Sequence, residues 1–571
     1  MLDLLISGGF IADGTGRAGR HGDIGIRDGV IVAVGAVDES AARTVDATDL
    51  VVAPGFVDLH THFDVQAFWD TTLSPAPLHG ITTVVGGNCG FSVAPLDHSQ
   101  ADYLLNMLAR VEGMPVRSLE IGVPWNWTTM AEYLDALDGT LMCNTAFLVG
   151  HSAIRRAVMH DDANERHATP EELDRMLDLF RASLAAGGLG FSSTNSTSHN
   201  DHVGRPVPSR FAAPEEFVAF ARATGEFEGS ALEFIPQVGE MREDSMALMA
   251  EMSRVANRPL NWNVLQVTAR NRDFVEHQLS ASDYAAARGG RVVALTSPDS
   301  VRLRVNFDSG FTLDTLPGWP ALMALPKAAK LEMMRDPAGR AEMDRLAQSI
   351  GGKQRSVAHW GAYILVETFT ERYKPFEGRS IYEVAAETGK TAWDTLCDIV
   401  VADGLRTSIQ TADGAQDDES WRRRVEVWRD HRALPGASDA GAHLDMIDTF
   451  TASTAMLGKA VRQRGLLPIE EAVHYLSGKP AALYGFVDRG VLRVGARADV
   501  VVIDPATMGH RPLYTRFDLP GGAGRLYAEA DGIEHVFVNG VEVVRGKSFT
   551  DARPGRVLRR GVDTRSVTVH D

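Results

Sequence analysis

Two histidines one residue apart, His60 and His62, sit inside the stretch Pro54-Gly55-Phe56-Val57-Asp58-Leu59-His60-Thr61-His62-Phe63-Asp64. In an extended strand successive side chains alternate faces, so both imidazoles aim one way while Leu59, Thr61 and Phe63 aim the other. That pairing is a metal grip. An isolated His-x-His is read equally well as two histidines on an exposed strand face. Here the apolar Phe56-Val57 run makes the strand a buried one, where two imidazoles without partners would be costly unless something binds them.

Two further groups stand at the ends of predicted strands. Cys89 follows Thr82-Thr83-Val84-Val85-Gly86-Gly87-Asn88 and has Gly90 after it, so the backbone can approach closely. Alone it would be a small buried hydrophobe. Beside His60 and His62 it becomes a candidate thiolate ligand, because a nearby divalent cation deprotonates a thiol. Asp439 lies in Pro435-Gly436-Ala437-Ser438-Asp439-Ala440-Gly441-Ala442-His443. It either caps a helix or turn, or serves a metal site and moves a proton between a metal-activated water and a departing nitrogen. His60, His62, Cys89 and Asp439 are therefore the candidate metal ligands, with Asp439 the candidate catalytic residue and zinc, as one or two divalent ions, the expected cofactor.

These groups need elements to aim them. Candidate strands fall at residues 56 to 62, 82 to 87, 145 to 150, 188 to 193, 231 to 236, 260 to 265, 291 to 296 and 435 to 440. Most precede helical periodicity, as in the run from Pro170 to Phe180. This alternation predicts an α/β fold, a (β/α)8 TIM barrel over 54–485. Residues 94–135 and 300–360 break the alternation and are read as insertions that cap the barrel mouth. Both chain ends read as short strands and turns, with a hairpin signal at Asp28-Gly29. Residues 1–53 and 486–571 are accordingly expected to pair as one composite β-sandwich domain.

Composition narrows the function classes. Of the 571 residues, 44% are hydrophobic and 23% charged, and the formal net charge is −18. A surface that negative repels phosphates, so nucleic acid is excluded as a partner. No apolar run would span a bilayer and no secretory leader is apparent, which points to a cytoplasmic protein and away from membranes. The cysteines Cys89, Cys143 and Cys397 are too few for a disulfide framework. The Trp421-Arg422-Arg423-Arg424 cluster, flanked by acids, is expected to be a solvated helix face. A small-molecule amide is the expected partner, and assembly into a homo-oligomer stays open.

Residues 54–95 carry His-Thr-His-Phe-Asp, Gln66, Trp69-Asp70, His79-Gly80-Ile81-Thr82-Thr83 and Gly87-Asn88-Cys89-Gly90-Phe91-Ser92 in succession. With Leu148-Val149-Gly150-His151, Gly190-Phe191-Ser192-Ser193, Ser438-Asp439 and the tail from Gly478 to Val500, this resembles the metal-dependent amidohydrolases, within them the N-acyl-D-amino-acid deacylases (D-aminoacylases). The resemblance implies that His60 and His62 bind one metal, that Cys89 is a thiolate ligand standing where other amidohydrolases use a modified lysine, and that Asp439 is the acid-base. It implies hydrolysis of a carbon–nitrogen amide bond in an N-acyl amino acid or related compound.

The chain also departs from that pattern. D-aminoacylases have a histidine ligand on each of strands 5 and 6, whereas this chain has Glu233 on Ala231-Leu232-Glu233-Phe234 and Asn261 and Asn263 on Asn261-Trp262-Asn263. Glu233, Asn261, Asn263, His151 and His199 are candidate substitutes, although asparagine is a poor zinc ligand. The lysine expected after strand 6 is Gln266, and a polar loop with His199, His202, Arg205 and Arg210 replaces the tyrosine expected after strand 4. Substrate contact is assigned to His151, His199, Glu233 and His443. Two rivals remain at this level: a cyclic amide (hydantoin-like) hydrolase, and an amidohydrolase-fold binding protein without catalysis.

Overall fold

The structure is a computed structural model and describes all residues except 238, 240, 311, 350–355 and 412–414. Eight parallel pairings run in chain order around a ring. The first strand is Phe56–Asp58 with His60–Thr61, the second Ile81–Gly86, and the third Asn144–Phe147 with Val149–Gly150. The fourth to seventh are Gly190–Thr194, Ala231–Ile235, Leu260–Leu265 and Val292–Thr296. The eighth, Ala433–Pro435 with Ala437–Ala440, lies beside the seventh and returns to the first, with Ala437 opposite His60 and Ala440 opposite Thr61. The fold is a (β/α)8 barrel. Strands covered on both faces read as unbroken apolar runs, and Ala231–Ile235 is buried at every position.

Helices cover the outside. Pro170–Ala185 starts at a capping box in which Thr169 and Glu172 exchange hydrogen bonds, with Pro170 in the first turn. The helix thus extends the periodic run that announced it. The helix Asp418–Arg429 overturns the solvated-face expectation. Trp421, Arg423 and Arg424 are buried, the guanidinium of Arg424 lies over the Trp421 ring, and its nitrogens donate to the carbonyls of Val267 (3.2 Å) and Ala415 (2.6 Å). Arginine stems pack as apolar matter while their heads satisfy carbonyls, so a run of charges does not have to face solvent.

Both chain ends enter one nine-stranded sheet. Val51–Pro54 lies antiparallel to Val500–Ile503, with Val52 opposite Val502, and beside Leu2–Ile11. The Arg20–Arg27 and Val30–Gly35 strands turn at Asp28-Gly29, whose φ values of 50° and 72° are those of the hairpin turn this pair favours. The β-sandwich domain built from both ends is thereby tied to the start of the first barrel strand.

Two excursions rise from the barrel. The first, between the second and third strands, holds the helices Ala101–Val111, Val116–Gly122 and Met130–Leu137. The second leaves after Thr296 and goes on well past residue 360. The sheet of Arg304–Val305, Ile364–Glu367 and Ser408–Gln410 and the helices Ile381–Thr388 and Ala392–Ala402 share one core with Phe307, Trp319, Trp360 and Trp393. The apolar faces of these late helices cover the tryptophans, which is why the excursion ends beyond its expected boundary. Residues 311 and 350–355 of this insertion lie outside the described residues. Among the described residues, no helix is long and apolar enough to cross a membrane.

Candidate metal centre

The ends of the first, second and eighth barrel strands bring four side chains to one point. His60 Nε2 and His62 Nε2 lie 3.4 and 3.8 Å from Cys89 Sγ, and 3.6 and 3.1 Å from Asp439 Oδ1. The two histidine rings meet edge to face with centroids 5.3 Å apart. Strand alternation supplies the imidazole pair. The other two groups need special backbone: Cys89 has φ 57° and Asp439 has φ 58°, left-handed values that cost a residue with a Cβ about 1–2 kcal/mol. Glu233 helps hold the first of these turns, since its Oε2 accepts the Cys89 N–H at 3.0 Å.

Charge argues for a cation at this point. Asp64, Glu112, Glu233 and Asp439 all surround the Cys89 thiol, and the only ion-pair partners of Glu112, Glu233 and Asp439 among the described residues are His60 and His62. Burial pushes the Glu233 pKa up to about 8 and that of Asp64 to about 6. It pushes His60 down to about 3. Burial also raises the Cys89 thiol, and the carboxylates around it add to that. Burial opposes the charge on His62 as well, but the carboxylates of Glu112 and Asp439 outweigh it and raise its pKa. An acid-rich, thiol-containing pocket with no lysine or arginine paired to its acids among the described residues suits a divalent ion, and nitrogen, sulfur and carboxylate donors suit zinc.

Neighbours orient the donors. Asp58 Oδ1 accepts the backbone N–H groups of His60 and Ser438, each at 3.3 Å, and so clips the first barrel strand to the eighth beside Asp439. The alternation that selects His60 and His62 also selects Asp58, two residues earlier on the same face. Glu112, at the end of the Ala101–Val111 helix, places Oε1 3.5 Å from His62 Nδ1. Sequence reasoning named neither residue, and nothing in the local pattern marks Glu112. Asn263 brings its amide nitrogen within 2.7 Å of His60 Nδ1, while its Oδ1 has no hydrogen-bond partner. A half-turn of that amide hands the oxygen to an Nδ1–H and leaves Nε2 free to ligate.

Other expected residues are placed differently. Asn261 donates to the Leu232 carbonyl and the Tyr484 hydroxyl, at 2.9 and 2.8 Å. His199 and His443 belong to the rim: their charges act on each other and on Asp439. His199 also packs against Phe91, with ring centroids 5.1 Å apart. His151 is not brought to the cluster. Its Nδ1 and Nε2 meet Ser193 Oγ at 2.9 Å and Glu216 Oε1 at 2.7 Å, among Phe191, Phe217 and Phe220. It opens the His151–Met159 helix and therefore faces the layer between barrel and helices. In the polar loop, Arg205 pairs with Asp201, whereas among the described residues the half-buried Arg210 donates to His199 O (3.0 Å) and Asn200 Oδ1 (2.7 Å) alone.

The chain is similar to known amidohydrolases along nearly its whole length. Residues 43–356 and 397–544 match the Amidohydrolase family. The chain is 32% identical over 563 residues to the D-aminoacylase of Alcaligenes xylosoxydans xylosoxydans, covering 98% of each chain. Among solved structures it resembles a D-aminoacylase studied for its binuclear metal centre, with TM-score 0.64 and 27% identity over 98% of this chain and 100% of that one. It also resembles an N-acyl-D-glutamate deacylase from Bordetella bronchiseptica complexed with zinc and a phosphonate inhibitor, with TM-score 0.63 and 26% identity over 98% and 99% of the two chains.

Proposed function

The chain belongs to the amidohydrolase family, and from that premise we propose that it deacylates N-acyl amino acids, with His60, His62 and Cys89 as zinc ligands and Asp439 as both ligand and proton carrier. It is a metal-dependent hydrolase acting on carbon–nitrogen bonds. The observation that carries the residue assignment is the convergence of His60 Nε2, His62 Nε2, Cys89 Sγ and Asp439 Oδ1. The D-configured N-acyl amino acid is taken as the substrate because relatives that match nearly end to end include a D-aminoacylase and an N-acyl-D-glutamate deacylase. Residues 54–485 form the catalytic barrel in this reading, and 1–53 with 486–571 form its β-domain.

A divalent metal bound here supplies Lewis-acid polarisation of the amide carbonyl and lowers the pKa of water. The protein's own groups handle orientation and protons. His60, His62 and Cys89 are buried, whereas the Asp439 side chain is 33% exposed, so the cluster meets substrate through Asp439. Burial opposes its ionisation, but His62, His60 and His443 outweigh it and hold the carboxyl below the usual range. Asp439 is therefore ionised when substrate arrives. It takes the proton of the attacking water on the carboxylate oxygen that does not face His60 and His62, and returns it to the departing nitrogen. The Glu112 carboxylate, 3.5 Å from His62 Nδ1, favours a proton on that nitrogen and leaves Nε2 to face inward.

The cation of Arg210, one loop away from the cluster and without a carboxylate partner among the described residues, suits the anionic end of the substrate. Incubating zinc-supplemented protein with N-acyl derivatives of D- and L-amino acids and quantifying the released amine tests the reading. Release from D-derivatives is expected. Absence of release from every member of the panel overturns it.

A further inference from the structure

A cavity of about 820 Å³ begins at Gly113, the residue after Glu112. Three separate segments carry both a residue of the centre or its rim and a residue of the cavity wall: Glu112 with Gly113, His199 with His202, and His443 with Asp445. A Cβ added at Gly113 would stand 3.0 Å from His443 Nδ1, so the missing side chain brings this edge of the cavity up to the His443 ring. The outer walls come from both insertions and from the segment 515–524.

The lining is apolar where it is not already paired. Arg110 is tied to Asp314, Asn306 donates to Asp445 at 2.7 Å, and the Arg406 guanidinium lies over the Phe369 and Phe517 rings. Val116, Val203 and Phe517 all face this cavity at 41%, 62% and 46% exposure. Grouped exposed apolar side chains of this kind mark a binding site rather than an ordinary surface. Cavities of about 300–1,000 Å³ enclose whole drug-sized ligands, which is far more room than an acetyl group or one amino-acid side chain occupies.

We infer that this cavity is an acyl-chain subsite, making the protein a deacylase of N-acyl amino acids with extended apolar acyl groups. The inference rests on the N-acyl amino acid reading above and names the acyl class for it. The apolar chain lies along Met114, Val203, Met323 and Phe517, with the scissile amide at Asp439.

Two substrate series on zinc-loaded full-length protein test it: N-acetyl to N-decanoyl derivatives of one D-amino acid, and N-acetyl derivatives with D-side chains from alanine to norleucine. The first series is expected to raise kcat/KM about fourfold per added methylene until the cavity is filled, and the second to stay nearly flat. Calorimetric titration of full-length Asp439→Asn with the same acyl series reads binding without turnover and is expected to follow the same slope. Val116→Asp and Val203→Asp each place a charge in an exposed part of the wall, and both are expected to flatten the acyl slope in the two assays. Turnover that ignores acyl length, a response to side-chain length alone, or a slope untouched by both variants overturns the subsite. Binding that climbs with chain length while no derivative is hydrolysed supports the subsite and overturns the deacylase reading instead.

Discussion

Glu112 is the residue whose removal most directly tests the way the centre is held. Its Oε1 stands 3.5 Å from His62 Nδ1 and its side chain is 5% exposed, so the pair is shielded from water. Carboxylate partners of metal-bound histidines fix the tautomer and raise ligand basicity, and their loss weakens metal binding about 10- to 100-fold. Glu112→Gln keeps an oxygen that can accept from Nδ1–H but gives up the charge, which makes such a hydrogen bond about twice as strong. It is expected near the lower end, about tenfold. Glu112→Ala also leaves the imidazole N–H unpaired in a dry pocket, and about 100-fold is expected. Competition against a chromophoric chelator measures both constants. The same loss appears in thermal unfolding: at saturating zinc, each tenfold weakening removes about 1.4 kcal/mol of the stabilisation the metal confers. Zinc constants within twofold of the parent for both variants would refute the assignment of Glu112 to His62.

Asp439→Asn is expected to retain bound zinc per chain while turnover falls about 10²- to 10⁴-fold; metal analysis beside single-turnover kinetics checks this, and near-parental turnover removes Asp439 from proton transfer. Arg210→Met is expected to raise KM for anionic N-acyl amino acids about tenfold or more with little change in kcat, since a hydrogen bond to a charged group contributes about 1.5–3 kcal/mol; an unchanged KM on the free acids, or an equal rise on their neutral methyl esters, discards the role. His151→Ala is expected to cost about 3 kcal/mol of stability, because it opens space among Phe191, Phe217 and Phe220 and removes a buried partner of Glu216. Denaturant unfolding measures that loss, and a change in zinc content without destabilisation would place His151 back at the centre.

The barrel and the four convergent groups were legible because each follows from a short-range rule. Alternation along one strand pairs His60 with His62, and strand ends on a parallel barrel share one face, which brings Cys89 and Asp439 to that pair. The same alternation contained Asp58, although its use as a clip to Ser438 depends on the eighth strand closing on the first. Glu112 was out of reach for a different reason: it ends an ordinary amphipathic helix, and only the path of the inserted segment carries it to His62. His151 shows the converse. A histidine just after a barrel strand can face the mouth or the helical layer, and the first turn of His151–Met159 decides for the layer, where Glu216 awaits it. Trp421 to Arg424 followed the same logic, because the carbonyls of Ala415 and Val267 that bury Arg424 lie on other segments. A cluster of donor groups assembled from barrel strand ends is therefore readable in the sequence. Asp58, Glu233 and Asn263 orient those groups from the barrel strands themselves, whereas Glu112 reaches His62 from an insertion, where no period constrains it.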